Sequence, residues 1–325
     1  MSAILVTGGA GFIGSHLAER LLSDRRRVIV LDAFDRFYDP AEKERNLRTA
    51  GKNAAFTLVR GDVRDRSAIE AAFAAGPVDA VVHLAARAGV RPSIEDPALY
   101  ASVNLDGTVE VLEACRRHGV KRFVFGSSSS VYGNNAKVPF AEDDPVDHPI
   151  SPYAATKRGG ELLAHTYHHL FGLEVACLRF FTVYGPRQRP DLAIRKFTEL
   201  LAAGGTIPVF GDGTSGRDYT YVDDIVEGIV RALDRASGFH VWNLGGSHPI
   251  LLDALVARLA RGLGVEARVE RRPAQPGDVA RTWADVSRAR RDLGWAPSTT
   301  FDEGIDRFLT WFGGERPRAA SGSAS

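Results

Sequence analysis

A glycine-rich turn near the start of the chain constrains the fold more than any other stretch. Apolar residues 4–6 lead into Thr7-Gly8-Gly9-Ala10-Gly11-Phe12-Ile13-Gly14, and an amphipathic segment follows at once. Glycines permit a tight turn and a close approach to a pyrophosphate, and the start of the helix offers unpaired N–H groups to it. The pattern predicts a strand, turn and helix that bind a dinucleotide. The residues expected to hold it are Gly8, Gly11, Phe12, Ile13 and Gly14.

The first half of the chain repeats this alternation of apolar runs and amphipathic segments. It indicates an α/β fold in which helices cover a parallel sheet. We therefore expect a Rossmann-type, doubly wound sheet over residues 1–180. Further strands are predicted at residues 28–31, 56–59, 80–83, 122–125 and 174–178.

The second half has a different texture. Gly, Pro and Arg are dense at residues 185–190 and 210–214, which predicts loops, and loops often carry ligand contacts. We interpret residues 181–313 as a smaller α/β domain that binds the substrate and exchanges segments with the first. Residues 314–325 are small and polar and are expected to be a disordered tail. Helices are predicted at residues 222–234 and 251–263.

Charge and composition limit the partners of the protein. The formal net charge is +1, which gives no overall field to attract nucleic acid or a membrane surface. No apolar run is long enough to span a bilayer, and no signal peptide precedes the first strand, so a cytoplasmic protein is expected. Cys115 and Cys177 show no metal spacing, and neither a carboxylate nor a cysteine completes a site with the histidines at 165, 168 and 169, so we expect no metal.

Asp32 ends the second predicted strand, about 20 residues beyond the glycines, where such folds carry a carboxylate for the adenosine ribose. This carboxylate would accept from the ribose hydroxyls and repel a 2′-phosphate. The residue therefore predicts NAD rather than NADP as the cofactor, although Arg36 lies close in sequence.

A second pattern points to proton transfer. Ser151 and Pro152 are typical of the first positions of a helix, and Tyr153 and Lys157 follow on one face of it, four residues apart. A free tyrosine has a pKa of about 10, which makes it a poor base. A neighbouring ammonium and a nicotinamide cation would both favour its phenolate. The spacing predicts general acid–base catalysis by Tyr153.

At these residues the chain resembles the extended short-chain dehydrogenase/reductase family, in its nucleotide-sugar epimerase and dehydratase branch. The resemblance reaches about Phe312 and includes the segments at 61–63, 83–86 and 127–133. It implies binding of NAD by residues spread along the first domain. These are Asp62 and Val63 at the adenine, Lys157 at the nicotinamide ribose, and Leu84, Ala85, Ala86, Tyr153 and Phe180 along the cofactor.

The chemistry that the resemblance implies is transient oxidation at C4 of the sugar. Tyr153 takes the hydroxyl proton while NAD takes the hydride, and Ser128 hydrogen-bonds the reacting hydroxyl. The 4-keto sugar turns over and recovers the hydride on its other face. Related 4,6-dehydratases carry Asp-Glu just after the serine or threonine and uronate decarboxylases a Glu, but Ser129 and Ser130 stand here. We therefore expect simple epimerisation.

The second half most resembles the members of that branch that convert UDP-glucuronate to UDP-galacturonate. The similarity lies at residues 179–191 and 87–91, and residues 207–213 resemble the nucleoside-binding stretch. An arginine is common at the Gln275 position among UDP-galactose epimerases, which weakens that contact. The arginine at 217 suits a pyrophosphate. Substrate contacts are expected from Arg87, Val209, Phe210, Arg217, Gln275 and Asp278.

A uronic acid substrate adds one requirement. Its 4-keto form is a β-keto acid, which loses CO₂ when the C5–carboxylate bond lines up with the carbonyl π system. The site must hold the carboxylate out of line in both ring poses. Hydroxyls of Ser127, Ser128 and Thr182 suit this, because they can bond from several directions. Arg189 would supply the charge; otherwise it is a solvated loop arginine.

The sequence is also compatible with other functions. The nearest is UDP-glucose/UDP-galactose 4-epimerase, followed by a uronate decarboxylase. A dinucleotide sensor without chemistry is a further alternative, although such sensors usually lack the Tyr–Lys pair. Family analogy also predicts a homodimer through helices at residues 100–117 and 153–170.

Overall fold

The computed structural model describes residues 2–273 and 281–315 of the chain. Its strands are β1 Ala3–Thr7, β2 Arg27–Asp32, β3 Phe56–Arg60, β4 Val78–His83, β5 Arg122–Ser128, β6 Glu174–Phe180, β7 Thr182–Tyr184, β8 Thr206–Phe210, β9 Gly216–Tyr221, β10 Phe239–Leu244, β11 Pro249–Leu251 and β12 Arg268–Arg272. Its α-helices are α1 Phe12–Ser23, α2 Pro40–Asn46, α3 Arg66–Ala74, α4 Val90–Glu95, α5 Pro97–Ala101, α6 Gly107–Arg117, α7 Pro152–Phe171, α8 Ala193–Ala202, α9 Val222–Arg235, α10 Leu252–Leu263, α11 Ser287–Leu293 and α12 Phe301–Glu315.

The main sheet has seven strands in the order β10-β6-β5-β4-β1-β2-β3. Every neighbouring pair is parallel. All six strands predicted in the first half are present in it, and the predicted doubly wound Rossmann sheet is confirmed. Most residues of these strands are buried because helices cover both faces, which explains their continuous apolar runs; the edge strand β3 is only half-buried.

One strand of this sheet comes from the second half of the chain. β10 pairs in parallel with β6 over six residues. The helix before it, α9, packs on α1, where Arg20 and Glu227 form an ion pair with an N···O distance of 2.6 Å. Residues 222–244 therefore extend the first-half sheet rather than joining the smaller one.

Two small sheets complete the fold. β7 and β9 are parallel, and β11 joins β9 antiparallel. β8 and β12 pair in parallel, and Phe210 pairs there with Arg272. Phe210, which the sequence placed in a loop, is therefore the last residue of β8, because this pairing continues the strand to that point. The predicted helices at 222–234 and 251–263 match α9 and α10.

The strand order brings the chemistry-bearing segments to one edge of the main sheet. The order reverses between β1 and β4, and ligands of such sheets bind at that switch point, beyond the carboxyl ends of the strands. The glycine turn and Asp32 follow β1 and β2, while residues 84–87 follow β4. Within the described residues, no helix is both long and apolar enough to cross a membrane.

Candidate active site

The glycine turn leaves no room for side chains. Gly8 has a φ of +70°, in the left-handed region that favours glycine. A Cβ added to Gly8 would lie 2.7 Å from the Ala85 nitrogen. One added to Gly14 would overlap the Gly8 carbonyl oxygen and lie 2.7 Å from the Gly9 Cα. The turn is thus packed backbone to backbone, as close approach of a pyrophosphate requires.

The start of α1 keeps its N–H groups free of side-chain caps. Gly11 is the N-cap residue and has no side chain to offer. The first intrahelical bond runs from Ser15 N to Gly11 O at 3.0 Å. The N–H groups of Phe12, Ile13 and Gly14 precede it and point along the helix axis. These residues fit the pyrophosphate of a dinucleotide cofactor.

Asp32 is held firmly at the end of β2. Its carboxylate accepts from Ala10 N at 3.0 Å and from Phe34 N at 2.8 Å. Lys43 Nζ lies 3.6 Å from Asp32 Oδ1, and Asn46 Nδ2 donates to Ala10 O at 3.1 Å. The carboxylate therefore ties the glycine turn to α2. Lys43 is a buried cation beside it that the sequence pattern did not predict.

The predicted adenine contacts lie after β3. Asp62 accepts from Arg64 Nη2 at 2.7 Å and from Arg64 Nε at 3.0 Å. These bonds lower the pKa of Asp62, so its carboxylate stays ionised and acts only as an acceptor. Val63 is buried against α6, where a Cβ on Gly107 would lie 2.8 Å from it.

Tyr153 lies in the first turn of α7. Ser151 caps that helix by accepting from Ala154 N at 3.1 Å, as predicted, and Pro152 is its first residue. Tyr100 packs edge-on against Tyr153, with ring centroids 6.3 Å apart. Burial raises the pKa of Tyr153, while the Ser128 hydrogen bond and the positive charge of Arg189 oppose the rise.

Lys157 is anchored to the backbone of β5. Its Nζ donates to Gly126 O at 2.6 Å and lies 5.1 Å from the Phe125 ring centroid. Burial lowers its pKa to about 8, although Glu161 opposes the change. The predicted help of Lys157 to the Tyr153 phenolate stays a prediction; the positive charge of Arg189 opposes the rise in the Tyr153 pKa.

Gly126 lies at the centre of the residues predicted to contact the nicotinamide end of the cofactor. A Cβ there would lie 3.0 Å from Leu84 Cδ2 and 3.2 Å from Phe180 Cε2. Leu84, Phe180 and Lys157 therefore surround one backbone position on β5. The structure brings these three predicted cofactor contacts together, and Ala85 and Ala86 follow Leu84 at the end of β4.

Ser128 ends β5 beside Tyr153. Its Oγ accepts from Ser130 N at 3.2 Å and bonds Ser130 Oγ at 3.1 Å, which starts a short 3-10 helix over Ser129–Tyr132. The two residues after Ser128 are Ser129 and Ser130, and neither carries a carboxylate. They offer neither an acid nor a base to the sugar.

Ser127 takes part in a buried network below the site. Its hydroxyl donates to Glu161 Oε1 at 2.6 Å. Arg179 clamps the same carboxylate through Nε and Nη2, both at 2.9 Å. The single proton of Ser127 is therefore used, and only its lone pairs remain for a ligand. Glu161 lies one turn after Lys157, a spacing that could have revealed it in the sequence.

Asn104 was missed by sequence reasoning. It lies in a π-helical turn, Ser102–Asp106, between α5 and α6. Its Oδ1 accepts from Arg87 N at 2.7 Å, and its Nδ2 donates to Arg87 O at 3.0 Å and to Thr156 Oγ1 at 3.0 Å. Asn104 thus fixes the segment after β4 to α7, the helix that carries Tyr153. A buried polar residue inside an apolar helical stretch was the available signal.

Arg87 and Arg189 both lie close to the ring of Phe37. Each guanidinium carbon is 5.4 Å from the Phe37 ring centroid. Arg87 also pairs with Asp35 at 3.2 Å. Arg189 is bound by Asp191 through two bonds, Nε–Oδ1 at 2.9 Å and Nη2–Oδ2 at 2.7 Å. Its side chain is only 18% exposed, so it is not a fully solvated loop arginine.

The other predicted substrate residues spread over the small sheets. Thr182 begins β7 and pairs with Tyr219 of β9, and Arg217 lies two residues earlier on β9. Val209 is fully buried, so only its backbone can meet a ligand. Phe210 is half-buried, with the Arg91 guanidinium 5.2 Å from its centroid. Gln275 and Asp278, and the tail from residue 316, lie outside the described residues.

Comparison with known proteins gives the family. The profile of the family described as GDP-mannose 4,6 dehydratase matches residues 5–308. The UDP-glucuronate 4-epimerase of Thermodesulfobacterium geofontis is 42% identical over 312 residues, 96% of this chain and 96% of that protein. The chain is a Rossmann enzyme of the extended short-chain dehydrogenase/reductase class, as predicted. It belongs to the GDP-mannose 4,6 dehydratase family.

Solved structures agree with this assignment. The UDP-glucuronic acid 4-epimerase of Bacillus cereus, in complex with UDP-glucuronic acid and NAD, has a TM-score of 0.91 and 35% identity, and the match covers 96% of this chain and 99% of that one. The UDP-glucose 4-epimerase of Thermotoga maritima, with UDP-glucose, has a TM-score of 0.89 and 34% identity, covering 96% and 99%. Relatives of both substrate types therefore share this fold.

Proposed function

We propose that the protein is an NAD-dependent UDP-sugar 4-epimerase, and that its substrate is UDP-glucuronate, converted to UDP-galacturonate. The observation that carries the proposal is the placement of Arg189. The Arg189 guanidinium is partly buried, and its positive charge opposes the rise in the pKa of the proton acceptor Tyr153 that burial causes. A cation at that position suits a sugar with a carboxylate beside its reacting carbon.

The cofactor contacts are those described above, from the glycine turn to Lys157. Bound NAD supplies a hydride acceptor for C4 of the sugar. Asp32 favours the unphosphorylated cofactor, because its carboxylate would repel a 2′-phosphate. Arg217 of β9 and Phe210 of β8 are proposed to face the nucleotide of the sugar substrate.

Tyr153 accepts the C4 hydroxyl proton and later returns it. Its pKa is raised by burial, so a phenolate needs help from its surroundings. The Ser128 hydrogen bond and the Arg189 charge give that help. Lys157, anchored on Gly126 O, is proposed to hold the nicotinamide ribose.

The serine segment explains why the 4-keto sugar is not diverted. Ser128, Ser129 and Ser130 form the end of β5 and the start of the 3-10 helix. A dehydratase needs an acid for the leaving group and a base for the C5 proton, and these residues supply neither. The ketone therefore keeps its substituents and is reduced again.

The carboxylate of the uronic acid is proposed to be held by Arg189 with Ser128 and Thr182. Hydroxyls can follow the carboxylate as the ring turns over, since each rotates its proton freely. Ser127 donates its proton to Glu161, so its hydroxyl does not donate to the sugar carboxylate. This division of roles keeps the C5–carboxylate bond away from the plane that favours loss of CO₂.

The second candidate function is UDP-glucose/UDP-galactose 4-epimerase. The observation that favours it is the Asp191–Arg189 pair, which neutralises the guanidinium before any sugar binds. A neutral hexose would then meet no unpaired charge.

The deciding experiment is incubation of the purified protein with UDP-glucuronate and, separately, UDP-glucose, followed by chromatographic separation of the products. We expect UDP-galacturonate from the first and a much slower reaction with the second. Faster turnover of UDP-glucose would favour the second candidate. Loss of CO₂ as the main outcome would contradict the proposed role of the serine segment.

We also infer that the protein forms a homodimer through α6 and α7. Leu162, Leu170 and Phe171 on α7 are each at least half exposed, and such apolar patches often mark interfaces. Light scattering of the purified protein tests this: a monomer mass would overturn the inference.

A further inference from the structure

The guanidinium of Arg189 is already hydrogen-bonded to a carboxylate of the same loop, that of Asp191. Asp191 takes the Nε and Nη2 donors in a bidentate pair. A guanidinium has five N–H donors, so two are used and the Nη1 side remains. The two residues are separated by only one position, so this pairing forms within the loop and needs no ligand.

The pair lies beside the reacting centre. Burial raises the pKa of Tyr153, Tyr100 and Tyr38, and the positive charge of Arg189 opposes the rise at each of them. The flat face of Arg189 covers Phe37, which limits the directions in which it can turn. A sugar whose C4 hydroxyl reaches Tyr153 therefore places its C5 substituent near a cation that is already paired.

This arrangement affects charged and neutral sugars in opposite ways. An incoming uronate puts a second carboxylate next to that of Asp191, and like charges at one site repel. A neutral hexose meets an ion pair without net charge. If the Asp191 charge were absent, a neutral sugar would leave Arg189 poorly solvated and unpaired, which is costly, whereas a uronate would pair with it.

We propose that Asp191 is a positioning residue that sets the sugar selectivity of the site, because its carboxylate competes with the carboxylate of a uronic acid substrate for Arg189. The proposal rests on the function given above, in which Arg189 binds that carboxylate. The Asp191 carboxylate then limits how strongly the site prefers uronic acids over neutral sugars.

The test is the ratio of two dissociation constants. In a Tyr153→Phe background, in which turnover is expected to fall by about 10² or more, titration calorimetry gives Kd for UDP-glucuronate and for UDP-glucose. Asp191→Asn keeps the shape of the side chain and removes its charge. We expect the preference for UDP-glucuronate to rise about tenfold, which corresponds to about 1.4 kcal/mol. Asp191→Glu retains the charge and should leave the preference within about threefold of the parent.

A role of Asp191 in merely holding Arg189 in place gives the opposite result. Asp191→Asn would then weaken UDP-glucuronate more than UDP-glucose, and an unchanged or lower preference overturns the proposal. Equal weakening of both sugars leaves the preference unchanged and therefore also overturns the proposal; circular dichroism of both variants confirms that the comparison is made on folded protein.

Arg189→Ala in the same background separates this proposal from the proposed function. If Arg189→Ala weakens both sugars equally, Arg189 does not bind the carboxylate and the proposed function loses its main support. If it removes the preference while Asp191→Asn fails to raise it, only the role of Asp191 is wrong.

Discussion

The glycine turn at residues 8–14 and the loop at residues 185–192 both lie against α1, but they are held in different ways. The turn is fixed by backbone packing, as the close approach of Gly8 to Ala85 shows. The loop is fixed by side chains: Pro186 O bonds His16 at 3.0 Å, and Arg187 Nη2 donates to Glu19 at 2.8 Å. Where backbone packs directly on backbone, no side chain can be added without a clash. A set of ion pairs, in contrast, can change by substitution of one residue at a time.

The difference matches the two roles proposed for these regions. Every substrate requires the same cofactor in the same place, so the cofactor side is rigid and built on regular elements. The sugar side must discriminate between substrates, and the loop that carries Arg189 and Asp191 can vary without disturbing the sheet.

Gly14→Ala should have the largest effect, because its added Cβ would overlap the Gly8 carbonyl oxygen. We expect destabilisation of about 1–3 kcal/mol from overpacking and loss of bound NAD. Denaturing the purified protein and assaying the supernatant measures the cofactor. The control is Gly51→Ala, which meets no atom within 4 Å. NAD at the parental level in Gly14→Ala would contradict the packing argument, and NADP in the parent would contradict the role of Asp32.

Tyr153→Phe tests the point where the two regions meet. Turnover should fall by about 10² or more, the usual contribution of a positioned acid–base group. The ring and its edge contact with Tyr100 remain, so the affinity for UDP-sugars should be largely kept. Steady-state rates and calorimetry measure the two quantities. Turnover close to that of the parent would remove Tyr153 from the mechanism.

Arg189→Ala addresses the sugar side alone. It should weaken UDP-glucuronate by about 2 kcal/mol, in the range for hydrogen bonds to charged groups, and barely change UDP-glucose. Products should include some decarboxylated UDP-pentose, because the carboxylate is no longer held. Bound NAD should stay at the parental level, and its loss would show that the two regions are not separable in this way.

Glu42→Gln should have the smallest effect. Glu42 pairs with Arg195 at 2.6 and 2.7 Å, and Arg195 Nη1 also donates to Gln188 O at 2.8 Å, next to Arg189. Loss of the charge should loosen the loop and cost about 1 kcal/mol of stability, as for a typical hydrogen bond. KM for UDP-glucuronate should rise with little change in kcat. A fall in kcat alone would place the effect on the catalytic helix instead.

Local patterns in the sequence determined the framework of this protein. The strand, glycine turn and helix at residues 3–23 and the capped start of α7 depend on neighbouring residues, since backbone freedom and capping act over a few positions. The relative placement of Tyr153 and Lys157 follows from helical spacing alone.

Only the tertiary structure decided what surrounds these groups. It placed Lys43 beside Asp32, gave the Ser127 proton to Glu161, and brought the charge of Arg189 close enough to act on Tyr153. Such contacts join segments far apart in the chain, and they depend on burial and charge in the folded state. No periodicity or local propensity contains that information, because each of these side chains would be acceptable in many other surroundings.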